Sequence, residues 1–175
     1  MLSHKKYMEI QNLNPEIGDM FEPGDQIIIQ EKIDGSNASF QYDRETDSVI
    51  CFSRNQILSP ELHLRGFYEW VQKLDKEQVH AVLGDNLRMF GEWLVRHTVP
   101  YPKDCYETLY CFDVFDMEQH RYLPQDQVKA LAEQLGLRYV PVFYEGSFTS
   151  WEDYQPLVGK TELGGEIGEG IIIKK

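Results

Sequence analysis

The stretch "QIIIQEKIDGSNASFQYD", residues 26–43, decides the fold. Its first half is a continuous apolar run, the mark of a strand buried on both faces. Its second half alternates, with Ala38, Phe40 and Tyr42 set against Ser39, Gln41 and Asp43, the period of a strand with one face on a core. Lys32, Asp34 and Gly35 stand where the two halves meet. A lysine at the end of a buried strand either snorkels to solvent or serves as a nucleophile, its lone pair freed by desolvation or a nearby cation. Period-two spacing puts Asp34 on the face of Lys32, and Gly35 allows close backbone approach where a ligand would sit.

Outward from this stretch, "DRETDS" (43–48) reads as a turn and "SVICF" (48–52) as a third strand, together an antiparallel meander. In "PELHLRGFYEWVQKL" (60–74), Leu62, Leu64, Phe67, Val71 and Leu74 recur at helical spacing, and Pro60 and Glu61 suit a helix start. "LRMFGEWL" (87–94), "TLYCFDVFD" (108–116) and "RYVPVFY" (138–144) read as strands. "PQDQVKALAEQLG" (124–136) is a helix opened by Pro124 and closed by a left-handed Gly136. Thr149 and Glu152 have capping-box spacing, with Pro156 limiting the helix they would open, and "EGIIIKK" (169–175) is a last buried strand. Strands outnumber helices and stand too close together for helical crossovers. The expected fold class is therefore α+β, antiparallel sheets with flanking helices.

A chain of 175 residues with 42% hydrophobic and 13% aromatic residues is long enough to bury a core as one domain. Cys51, Cys105 and Cys111 are an odd set without ligand spacing, which argues against a disulfide framework or zinc knuckle and favours a reducing compartment. His4, His63, His80 and His120 are likewise scattered. The N-terminus lacks the apolar stretch of a signal peptide, and no run approaches the ~18 apolar residues of a membrane span, so the expected location is cytoplasmic, with no membrane partner. A net charge of −12 repels a nucleic-acid backbone on average, so such a partner must meet a local basic groove or a separate basic domain. Glu92 is an isolated acid in an otherwise apolar strand, costly there unless it serves a ligand.

Lys32-x-Asp34-Gly35 resembles motif I of the covalent nucleotidyltransferases, the DNA ligases, RNA ligases and mRNA capping enzymes. "FGEWL" (90–94) looks like motif III, "YCFDVFD" (110–116) like motif IIIa and "EGIIIK" (169–174) like motif IV, all in family order. More narrowly, "EKIDGSN", "FSRN", "FGEWLVRHTVPY" and "LYCFDVFD" resemble the RNA ligases close to the phage type-2 enzymes, from about residue 25 onward. The resemblance implies the nucleotidyltransferase fold, ATP as the nucleotide with AMP as the covalent intermediate, Mg²⁺ as the metal, and RNA strand ends as partners. The nearest rivals are a DNA ligase or a GTP-using capping enzyme. A rival of a different class is a noncatalytic nucleotide- or RNA-end-binding module.

Carried over residue by residue, the resemblance implies that Lys32 is the adenylated nucleophile and that Glu31 lies near the adenine. Asp34, Gly35 and Asn37 would meet ribose and phosphates, Asn37 alternatively only ending a turn. Arg54 would grip the nucleotide or a 5′-phosphate, as a planar, permanently charged fork suits a phosphate, or else form a surface ion pair. Glu92 would accept from ribose hydroxyls. Phe115 would stack on the purine, or else belong to the core, with Asp116 an acid of the same motif and Asp113 on the strand's solvent face. Glu169 would orient the metal and Lys174 would face the phosphates. Lys175 has no role, and for His97 a family role and a structural one weigh equally. Residues 1–175 are expected to be a single nucleotidyltransferase domain, the front of a longer protein whose motif V and RNA-binding domain lie beyond Lys175, with slow or absent self-adenylation without them.

Overall fold

The two halves of the 26–43 stretch enter different sheets. The computed structural model describes residues 2, 4–8, 10 and 20–175. In chain order the strands are β1 (Gln26–Lys32), β2 (Ser36–Asp43), β3 (Ser48–Ser53), β4 (Leu87–Leu94), β5 (Thr108–Asp116), β6 (Arg121–Tyr122), β7 (Arg138–Tyr139), β8 (Val142–Ser147) and β9 (Gly170–Lys174). The helices are α1 (Phe67–Gln72), α2 (Lys76–Leu83), α3 (Gln125–Gln134) and α4 (Trp151–Tyr154). Two compact units form, one from Met1–Tyr7, Gly35–Val95 and Tyr106–Tyr139, the other from Met8–Asp34, Arg96–Cys105 and Val140–Lys175. Neither is a continuous stretch of chain, so no linker composition marks the division.

The first unit is built on a sheet of order β3-β2-β4-β5-β6, with β7 also beside β5. Its pairings are antiparallel except β5 with β7. Ala38, Phe40, Cys51, Met89, Trp93, Leu109 and Val114 pack with Phe67 and Val71 of α1, Val79 of α2 and Val128 of α3 in one core. Each large apolar side chain so buried contributes about 1.5–3 kcal/mol. The other side chains of β2, Asn37, Ser39, Gln41 and Asp43, are buried as well. Arg88 of β4 helps explain this polar burial: its guanidinium lies 3.8 Å above the Phe52 ring and its Nε donates to Gln41 at 3.0 Å.

The second unit carries a three-stranded antiparallel sheet, β8-β1-β9. Ile27 and Ile29 pack with Phe148 and Tyr154, as the continuous apolar run requires. The meander expected over 26–52 is thus corrected: only β2 and β3 form a hairpin, because β1 is flanked on both edges by β8 and β9.

Other elements follow the sequence to different degrees. Helix α3 ends with Gly136 at φ 70°, where Gly136 N–H bonds to Glu133 and Leu137 N–H to Ala132. The helix expected from residue 60 begins only at Phe67, since Leu64, Arg65 and Gly66 all have left-handed φ (50°, 51° and 96°), which a right-handed helix cannot contain. Helix α2, capped by Asp75 through the N–H groups of Glu77 and Gln78, has no counterpart in the sequence reading, although an acid cap followed by Val79 and Leu83 is a helical signature. "RYVPVFY" divides into β7 and β8, one in each sheet. The capping box is absent: Ser150 precedes α4 without a side-chain bond, and Thr149 donates to Asp153 at 2.6 Å.

Candidate active site

In the second unit, antiparallel register places Lys32, the last residue of β1, directly opposite Gly170, the first of β9. Glu169 therefore meets Lys32, with Oε1 3.5 Å from Nζ. Asp34 lies beyond the end of β1, so the strand-face pairing with Lys32 does not hold. Its carboxylate Oδ2 accepts the Val99 N–H at 2.7 Å, and its own N–H donates to the Tyr101 hydroxyl at 3.0 Å. Burial pushes the Tyr101 phenol up to about 12, helped by the nearby Glu31, Asp34 and Glu169 charges.

Two carboxyls of this unit titrate above the ordinary range. Burial raises Glu169, with Asp34 adding to the rise and Lys32 and His97 opposing it. His97 is thereby within electrostatic reach of this group. Burial also raises Glu31, against the hydrogen bonds it accepts from Glu162 and Thr161. A carboxyl raised on folding holds its proton to higher pH in the folded chain than in the unfolded one, so stability falls as pH rises between the two pKa values. Glu31→Gln, which cannot ionise, should accordingly gain stability relative to the parent as pH rises through and above the ordinary carboxylate range. Urea-unfolding midpoints of the two proteins across that range check the sign.

In the first unit, a cavity of about 530 Å³ is lined by Gly35, Asn37, Arg54, Gln56 and Glu92, among others. Asn37 and Glu92 are direct cross-strand partners and so share a face of the sheet. Glu92 Oε2 accepts the Gly35 N–H at 3.1 Å. Gly35 has a steric reason to be glycine: a Cβ there would stand 2.5 Å from the Trp93 carbonyl oxygen. Gly91 has another, since a Cβ would meet Tyr110 O at 2.7 Å beside the register shift between β4 and β5.

The remaining candidates are placed differently. Phe115 is 6% exposed and packs with Tyr7, Phe90 and Tyr122, with Lys5 above its ring, which is the core placement. Asp116 caps a turn through the Glu118 and Gln119 N–H groups. Asp113 is not on a solvent face but 2% exposed, accepting from Tyr7 at 2.5 Å and Gln125 at 2.8 Å. Lys174 pairs with Ile28 in the β1–β9 ladder, and Lys175 forms an ion pair with Asp25 at 3.1 Å.

Three residues escaped the sequence reading. Thr161 belongs to no motif, Tyr101 closes the "FGEWLVRHTVPY" stretch without a role of its own, and the partners of both are remote in sequence. Phe112 had a signal, because "YCFDVFD" contains Phe-Asp twice, at 112–113 and 115–116. Phe112 falls at the register shift opposite Phe90 and Gly91, is half-buried, and touches the Tyr7 ring at 5.0 Å. Tyr7 also touches Phe90, so Phe112 shares the sheet face of Phe90 and Glu92.

Among the described residues no three His, Cys, Asp or Glu side chains gather as a closed metal site. Glu169 with Asp34 in electrostatic reach fits Mg²⁺, which takes one or two carboxylates and completes its shell with water and phosphate oxygens. No helix of the described residues is long and apolar enough to cross a membrane.

The structure is similar to an RNA ligase of Naegleria gruberi solved with ATP and Mn (TM-score 0.73, 20% identity, 97% of this chain and 52% of that one). It is similar as well to an archaeal ATP-dependent RNA ligase (TM-score 0.71, 19% identity, 98% and 45%). The α+β fold with antiparallel sheets and few helices is that of these proteins. The chain spans about half the length of either. No curated protein matches it by sequence. A family model described as RNA ligase matches residues 25–175, and with that span of the 175 residues covered, the chain belongs to the RNA ligase family.

Proposed function

We propose that this chain is the nucleotidyltransferase domain of an ATP-dependent RNA ligase. The observation that carries the reading is the register of β1 against β9, which brings the Lys32 amine of motif I to the Glu169 carboxylate of motif IV. Lys32 Nζ attacks the α-phosphorus of ATP; the N–P bond forms as the bond to the leaving pyrophosphate breaks. Glu169 Oε1, 3.5 Å away, is placed to accept the proton that the amine gives up. AMP then passes to a 5′-phosphate end, and a 3′-hydroxyl displaces it to seal the strand.

Glu169 and Asp34 are the residues that would hold Mg²⁺. When bound, the ion neutralises charge on nonbridging phosphate oxygens, the main form of help in phosphoryl transfer. In the first unit, Arg54 supplies a guanidinium fork for phosphate, and Asn37 and Glu92 supply a donor and an acceptor for ribose hydroxyls. Phe112, half-buried on the face of Glu92, replaces Phe115 as the aromatic that stacks on the purine.

Intact-mass measurement after incubation with a nucleotide and Mg²⁺ tests the reading. In a protein extended to the full length of its relatives, one adenylyl group should add with ATP and nothing with GTP, and Phe112→Ala should need more ATP than Phe115→Ala. An adduct from GTP selects a capping enzyme. Nucleotide binding without any adduct, in a protein extended to the full length of its relatives, selects a noncatalytic module. Nicked RNA against nicked DNA then separates the two kinds of ligase.

A further inference from the structure

Lys32 is flanked by two acids, and each holds a loop. Glu31 is 2% exposed; its Oε2 accepts the Thr161 hydroxyl at 2.8 Å and its Oε1 the Glu162 N–H at 2.9 Å. Asp34 binds the Val99 N–H. The two loops also touch each other: Cys105 Sγ donates to Leu163 O at 3.3 Å, and a Cβ at Gly165 would lie 2.9 Å from Pro100 O.

The loop held by Glu31 leads into β9 without slack. Gly168 N–H donates to Gly159 O at 2.7 Å, closing the loop at its base. A Cβ at Gly168 would stand 2.3 Å from Lys160 O. The next residue is Glu169, which reaches Lys32.

We propose that Glu31 is a positioning residue, which clasps Thr161 and Glu162 so that the 159–168 loop delivers Glu169 to Lys32. With both carboxylate oxygens engaged and the side chain buried, Glu31 presents no face to a purine. A misplacement of a reacting group by about 1 Å costs on the order of 100-fold in rate, so a clasp remote from the chemistry can control it. The proposal rests on the RNA ligase reading only where it concerns rate.

Its test compares Glu31→Ala, Glu31→Gln, Thr161→Val and the double variant Glu31→Ala/Thr161→Val by two measurements. One is amide hydrogen exchange at Glu162, whose N–H donates to Glu31, since the Leu163 N–H donates to Thr161 Oγ1 itself; the other is the rate of adduct formation with ATP and Mg²⁺. Exchange should speed up in Glu31→Ala and Thr161→Val, and adduct formation should slow by about 10- to 100-fold. Glu31→Gln should stay within a few-fold of the parent, because its amide oxygen still accepts from Glu162 and its NH₂ can donate to the Thr161 hydroxyl. The double variant should be no slower than Glu31→Ala alone.

The clasp is overturned if Thr161→Val matches the parent in exchange and rate while Glu31→Gln falls as far as Glu31→Ala, since the charge would then be acting on a ligand. If Glu31→Ala does not fold, Thr161→Val decides alone. If even a protein extended to the full length of its relatives forms no adduct, the ligase reading fails, and exchange still decides the clasp: faster at Glu162 in Thr161→Val supports it, unchanged overturns it.

Discussion

Lys32→Ala is expected to abolish the adenylyl adduct while leaving the fold intact. The ion pair it breaks joins side chains that are 43% and 32% exposed. Such partly exposed pairs contribute about 0–1 kcal/mol, so the melting temperature should move little. The covalent step has no substitute, because no other amine stands in the Lys32–Gly170 register position. Lys32→Arg should fail as completely, since guanidinium keeps its proton and has no lone pair to offer. Intact mass reads the adduct, and thermal unfolding of the same samples separates lost chemistry from lost structure. A Lys32→Ala protein that still gains one adenylyl group would remove Lys32 from the mechanism.

Gly35→Ala should damage the fold and the candidate nucleotide cavity together. The added carbon would stand 2.5 Å from the Trp93 carbonyl oxygen, 3.1 Å from its carbonyl carbon and 3.0 Å from Glu92 Cγ. Two of these contacts are to strand backbone, which cannot rotate aside as a side-chain tip can. Overpacking of this kind costs about 1–3 kcal/mol, and here it also pushes the Gly35 N–H off Glu92. At about 2–4 °C per kcal/mol for a chain of this size, the melting temperature should drop visibly. Nucleotide binding should weaken with it, as Gly35 and Glu92 both line the cavity. Gly170→Ala is the contrast: a Cβ there meets nothing within 4 Å, and stability should stay within about 1 kcal/mol of the parent. Equal melting temperatures for the two variants would show that the β2–β4 approach tolerates a side chain.

The strands were legible from the residues themselves, whereas the nucleophile role proposed for Lys32 rests on the motif resemblance and not on periodicity. Burial imposes periodicity, and periodicity is local, so "QIIIQEK", "LRMFGEWL" and "TLYCFDVFD" announce themselves within a few residues. The helix from residue 60 failed because apolar spacing continues across Leu64 and Arg65 while their backbone turns left-handed. The burial of Phe115 beside a half-buried Phe112 was not legible, since the two copies of Phe-Asp differ only by where β5 shifts register against β4.

The sequence by itself determined most of the strands, that a lysine ends the buried first one, and that the motif order resembles that of the covalent nucleotidyltransferases. Only the tertiary structure decided that β1 and β2 part into two sheets, that Glu169 arrives at Lys32, and that Glu31 faces Thr161 and Glu162. Neighbours along the chain share one backbone geometry and leave a pattern. Partners brought together from distant parts of the chain are chosen by the path of everything between them, and no short window of residues records that path.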